Sequence, residues 1–282
     1  MSQSFADWIG RRERIEDELD LFPARAAAAM LDRTDLDLRS GSALPPLWHW
    51  FYFLASVPQS RLAADGHPER GGFMPPIALP RRMFAGSSMR FHRPLRLGRS
   101  AERSAEIRDV QLKSGRSGQL AFVTVDYQLS QDGELCIEER QDIVYREAGT
   151  AVPVPTPIAW PDPELGTWVR DFKADPRLLF RFSALTFNAH RIHYDRAYAQ
   201  DEEGYPGLVV HGPLTAMLLA DLVHRNDPRR IASFSFRGAA PLFDLAPFRL
   251  LGRPTGAAVE LEACGPDGRS ALLANASLAE DE

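Results

Sequence analysis

Apolar positions over residues 4–33 recur at an imperfect helical spacing. Trp8, Ile15, Leu19 and Ala26 form the stripe, with charges between them, and the pattern predicts an amphipathic helix. A denser apolar run, PPLWHWFYFLAS at 45–56, predicts a second, more buried helix opening on proline, which suits a first turn. Residues 65–86 are rich in glycine and proline and read as a long loop. From residue 87 the period changes to two. MRFHRPLRLG, SAEIRDVQLK, QLAFVTVDYQLS and LCIEERQDIVYRE read as strands separated by the turns SGRSG and QDGE.

A proline-rich stretch, GTAVPVPTPIAWPDPEL, breaks the pattern and reads as a semi-rigid linker. Beyond it the elements recur in another order. A polar cluster, FNAHRIHYD at 187–195, comes first. The apolar run LTAMLLADLV follows, inside a predicted buried helix over 213–226. RIASFSFRG, FRLLG, GAAVELEAC and SALLANASL then read as strands. Helix followed by strands occurs twice, and SSMRFHRPLRLG is weakly echoed by SFSFRGAAPLFDL. The expectation is a duplicated α+β unit, each copy an antiparallel sheet wrapped around a central helix. The expected boundaries are an N-terminal unit over 1–148, a linker over 149–166 and a C-terminal unit over 167–282.

Composition narrows the function. A length of 282 residues, 44% hydrophobic and 25% charged residues are ordinary for a globular chain. The net charge of -5 argues against nucleic acid or an anionic membrane as partner. No apolar run reaches the ~20 residues of a bilayer span, and the charged N-terminus lacks a signal core, so a cytoplasmic protein is expected. Cys136 and Cys264 lie in strand-like segments without a CxxC partner and read as core residues. The only lysines, Lys113 and Lys173, lie away from the polar cluster in sequence, which disfavours Schiff-base chemistry.

The chemistry concentrates in two blocks, FNAHRIHYD and YPGLVVHGP. His193 can take and return a proton near neutrality, against the plainer alternative of a satisfied core histidine. Asn188 can hold a water for that histidine, or can simply close a turn or cap a helix. Gly212 stands before Pro213 at the start of the predicted helix, where exposed N–H groups and the helix dipole favour a developing oxyanion. A helix start without a ligand is the alternative. His211 and Arg191 are expected to line the substrate. A metal held by His190, His193, Asp195 and His211 lacks any standard ligand spacing and is not expected. No nucleophile elbow and no glycine-rich phosphate loop occurs.

The run FSALTFNAHRIHYD followed by GLVVHGP resembles the MaoC-like (R)-hydratase family of double hotdog fold. Its itaconyl-CoA and mesaconyl-CoA hydratases and the type 2 hydroxyacyl-thioester dehydratases are the nearest branches. PPLWHWFYF, GGFMPP, LPRRMFAGS and QDIVYRE extend the resemblance into the first half. The family pattern D-x-N-P-x-H places His193 on the family histidine and Asn188 on its catalytic aspartate, with His190 and Arg191 on the intervening asparagine and proline. The resemblance therefore implies His193 as the single base, Asn188 as water-orienting and the Gly212 N–H as the oxyanion donor. It implies an acyl-CoA substrate with no metal or redox cofactor, and reversible hydration of a short, dicarboxylic enoyl-CoA. Arg81 and Arg82 would meet a substrate carboxylate or a CoA phosphate, or else form a solvated basic pair. A homodimer is expected. The rivals are a dehydratase of fatty-acid synthesis, a thioesterase and a non-catalytic thioester-binding hotdog.

Overall fold

A computed structural model describes residues 5–115 and 118–280. The chain is α+β and divides into two compact units, Met1–Gly149 and Thr150–Glu282.

The first unit carries β1 (Arg12–Asp17), α1 (Leu21–Met30), β2 (Arg81–Phe91), β3 (Ala101–Gly115), β4 (Gly118–Gln131) and β5 (Glu134–Arg146). The strands form an antiparallel sheet in the order β1-β3-β4-β5-β2. Alternation along β4 buries Ala121, Val123 and Val125, which pack with Ile107, Ile143 and Tyr145. Part of the SGRSG turn, residues 116 and 117, lies outside the described residues. The strand expected from residue 87 begins earlier, at Arg81, and ends at Phe91.

Both helices expected in this half are corrected. Residues 4–33 break into a 3-10 turn, β1 and the ten-residue α1. The charges taken for a solvated helix face are cross-strand partners: Arg12 meets Glu106 at 2.8 Å, and Arg14 meets Glu102 at 2.7 Å. Leu19, with φ 45°, turns the chain before α1. Residues 45–56 form only a 3-10 turn, Trp48–Phe51. Leu47 (φ 70°) and Phe53 (φ 56°) flank it in the left-handed region, which no α-helix can pass through.

Buried polar partners hold that conformation. The Glu139 carboxylate on β5 binds His49 Nε2 at 3.0 Å and accepts from Trp50 Nε1 at 3.0 Å, Ser87 Oγ at 2.9 Å and Gln141 Nε2 at 2.9 Å. Asp17 accepts the Phe53 N–H at 2.8 Å. Burial alone would raise the Glu139 carboxyl. The bond and charge of His49, with Gln141 and Ser87, hold it below its ordinary value instead.

The second unit carries β6 (Trp168–Phe172), α2 (Pro176–Leu185), α3 (Arg196–Asp201), α4 (Gly212–Asn226), β7 (Ile231–Gly238), β8 (Phe248–Thr255), β9 (Ala258–Cys264) and β10 (Ser270–Leu278). Its strands run β6-β8-β9-β10-β7. Taken in chain order, this is the connectivity of the first sheet, strand for strand, so the duplication expected from weak sequence echoes is visible as topology. Here a long central helix does form. Leu214–Val223 of α4 are all buried, and α4 packs on β6 and β7–β10. Asp221, inside that buried run, is paired with Arg170 of β6 and Arg225.

The proline-rich run is fastened to the second unit. Val152 N–H donates to Gly204 O, Ile158 N–H to Pro266 O, and Trp160 Nε1 to Gly265 O. Cys136 and Cys264 are buried on strands, as expected.

Candidate active site

Local chain geometry in the second unit assembles the polar cluster. Asp175 caps α2 by accepting the Leu178 N–H at 2.9 Å. After α2 the chain reverses through Phe187, with φ 48°. Asn188 secures the reversal: its N–H donates to Ser183 O at 2.8 Å, and its Oδ1 accepts the His190 N–H at 3.0 Å. The turn-closing alternative therefore accounts for Asn188 Oδ1. A 3-10 turn, Arg191–His193, follows. Asp195 then caps α3 by accepting the Tyr198 N–H at 3.1 Å.

The second block, residues 205–213, passes alongside. Val209 N–H donates to Ile192 O at 3.0 Å, and His193 Nδ1 donates to Val209 O at 2.8 Å. A carbonyl only accepts, so Nδ1 carries the proton and Nε2 is the basic nitrogen of the neutral ring. The His193 ring stacks on His211 at 3.6 Å between centroids, with 18° between planes. His190 meets His193 edge-on at 5.5 Å. All three imidazoles are buried.

His211 is 1% exposed and is the N-cap of α4. Its Nε2 pairs with Ser183 Oγ at 2.9 Å, and its buried Nδ1 has no partner among the described residues. Burial first, then the nearby charges of His193 and His190, push its pKa well below the ordinary histidine value. Burial thus favours the neutral form of the His211 ring. Gly212, the next residue, opens α4. A Cβ placed there would meet no atom within 4 Å, so open space faces the helix start. The base and the helix N-terminus are thus neighbours, joined by the stacked pair of rings.

The three candidate arginines lie in two places. The Arg191 guanidinium bonds Asp195 at 2.8 Å and lies 4.1 Å over the Tyr198 ring, so it braces the loop. That bond raises the Arg191 pKa; for Asp195, the Tyr198 N–H and then Arg191 lower it. Arg81 and Arg82 belong to the first unit, at the start of β2. Arg81 is 8% exposed and lies opposite Arg146 in the sheet register, so it is not a solvated surface cation.

Sequence reasoning missed Ser183 and the Val209 carbonyl. Ser183 carried one signal, a polar side chain on the buried face of α2 beside Leu179 and Phe182. The carbonyl carries none, because every residue has one.

Comparisons with known proteins bear on the family and the fold. Residues 47–244 match the family model described as hydroxyacyl-thioester dehydratase type 2. The chain is 61% identical over 277 residues to the mesaconyl-C(4)-CoA hydratase of Chloroflexus aurantiacus, covering 98% of this chain and 99% of that one. A solved MaoC-like dehydratase superposes with TM-score 0.74 at 15% identity, covering 99% and 100% of the two chains. A Mycobacterium tuberculosis protein described as a double hotdog superposes with TM-score 0.58 at 16% identity, covering 96% of each. The fold is that double hotdog.

Proposed function

Because the chain belongs to the type 2 hydroxyacyl-thioester dehydratase family, we propose that it is a hydro-lyase adding water reversibly to a short enoyl-CoA with a dicarboxylic acyl group, of the mesaconyl or itaconyl type. The observation that carries the reading is the His193 imidazole, with its Nδ1 proton tied to Val209 O, stacked on His211, the N-cap of α4. The 61% identity to a mesaconyl-C(4)-CoA hydratase favours the dicarboxylic acyl group.

In the hydration direction His193 Nε2 takes a proton from water, and the hydroxide oxygen bonds to the β-carbon. The displaced π electrons move onto the thioester oxygen as an enolate. The Gly212 N–H and the positive end of α4 stabilise that oxygen; such a donor is worth about 3 kcal/mol in the transition state. The imidazolium then protonates the α-carbon, which regenerates the thioester carbonyl and the neutral base. One base serving both steps delivers hydroxyl and proton to the same face. Conjugation with the thioester makes the β-carbon electrophilic without a metal or a redox cofactor, so coenzyme A enters only as part of the substrate. Asn188 Nδ2 is suited to donate to the attacking water, since Oδ1 is already engaged. Arg81 or Arg82 would recognise the distal carboxylate or a CoA phosphate.

The test is loss of enoyl absorbance with mesaconyl-CoA and crotonyl-CoA, with a thiol reagent present. His193→Ala should slow hydration by roughly 10²- to 10⁴-fold. Arg81→Ala or Arg82→Ala should harm mesaconyl-CoA more than crotonyl-CoA. An undiminished rate in His193→Ala sinks the mechanism. Free thiol without hydration makes the protein a thioesterase. No change in either signal leaves a binding module.

A further inference from the structure

Val209 O sets the tautomer of His193, and the backbone that presents it is clamped by a residue outside both motifs. Asp244 lies in the loop between β7 and β8, with its side chain 3% exposed. Its Oδ1 accepts the Leu208 N–H at 2.9 Å, and Arg196, from the first turn of α3, forms an ion pair with the same carboxylate. The two segments are laced together on either side. Asp244 N–H donates to Leu208 O at 3.0 Å, Val210 N–H donates to Leu242 O at 2.8 Å, and Val209 and Phe243 form an isolated bridge. A glycine makes room for the carboxylate: a Cβ on Gly207 would sit 2.9 Å from Asp244 Oδ1 and 2.9 Å from Leu245 Cγ.

We propose that Asp244, charge-paired with Arg196, is a positioning residue that holds the 208–209 backbone so that Val209 O keeps the proton of His193 on Nδ1. A buried carboxylate is costly unless paired and hydrogen-bonded, and here one partner is the Leu208 N–H and the other the Arg196 guanidinium. Arg196 lies three residues after His193, so the pair ties the chain just after the base to the loop that holds the 208–210 backbone. Without the clamp, Val209 O is free to drift, and the ring can shift its proton to Nε2. That tautomer presents a donor where the reaction needs an acceptor.

This inference rests on His193 being the base, so the experiment reads tautomer and turnover separately. Two-bond ¹H–¹⁵N correlation spectra of the imidazoles should show His193 protonated on Nδ1 in the wild-type protein. Asp244→Asn and Gly207→Ala should each populate the Nε2–H form and lower kcat about 10- to 100-fold with KM changed less than about threefold, as expected for a misplaced base. Asp171→Asn, which removes an ion pair to Arg249 elsewhere in the unit, should leave both readings at wild type. Folded Asp244→Asn and Gly207→Ala proteins with an unchanged His193 tautomer overturn the clamp, whatever their rates. A wild-type protein that hydrates no thioester overturns the hydratase reading instead, and the spectra still decide the clamp.

Discussion

Gly212 shows how one residue separates stability from function. Nothing lies within 4 Å of the position its Cβ would take, so the fold alone does not demand glycine there. Gly212→Ala should therefore melt within about 1 kcal/mol of wild type, since helix propensity favours alanine. On the proposed mechanism the added methyl would enter open space at the start of α4, where the thioester oxygen is to bind. A rise in KM or a fall in kcat for enoyl-CoA is expected, and unchanged kinetics would show that no ligand uses that space. His211 carries the opposite lesson. Its motif position suggests a residue facing substrate, and the structure adds 1% exposure, a bond to Ser183 and a stack on His193, contacts that support the proposed base. Sequence proximity alone does not separate a residue that touches the ligand from one that orients its neighbour.

Helix prediction succeeded where an element draws its order from its own residues and failed where buried partners overrode them. Residues 213–226 form α4 because ten consecutive buried positions suit a helix enclosed by a sheet. The equally apolar 45–56 run does not, because the Glu139 carboxylate gathers His49 and Trp50 while Leu47 and Phe53 reverse the backbone. Glu139→Gln should destabilise the protein by about 3 kcal/mol in urea at neutral pH, because a buried carboxylate accepting several hydrogen bonds is replaced by a neutral amide whose N–H groups face donors. The pH dependence has a definite sign. The folded carboxyl lies below its ordinary value, so its contribution is complete above the unfolded value and disappears as pH falls through the depressed folded value. Wild type should thus lose stability on acidification while Glu139→Gln loses less. Parallel losses in the two proteins would remove the carboxylate from the account of the turn.

At the scale of the whole chain, two units share one strand connectivity but not one interior. The second encloses a long helix, and the first relies on a short helix, a 3-10 turn and a buried polar network. The polar cluster with the helix start belongs to the second unit alone. Exposed Phe180 (64%) and Phe187 (63%) leave apolar surface on that unit, the kind of surface the expected homodimer would cover. Sedimentation equilibrium should return twice the chain mass of 31.5 kDa; the mass of a single chain would exclude the dimer. Among the described residues, no helix is long and apolar enough to cross a membrane.

Alternation and apolar density determined most of the strands and α4, because those patterns report local burial on one face of an element. The paired motifs made His193, His211 and Gly212 legible as candidates, since imidazoles and a glycine before proline can be read as letters. Tertiary structure decided what no letter carries: which carbonyl holds the His193 proton, which serine meets His211, and which distant aspartate fastens that backbone. It also decided that one apolar run becomes a helix and another a turn. The physical reason is the same in each case. Backbone groups and buried charges act through partners far away in sequence, and only folding brings those partners within hydrogen-bonding distance.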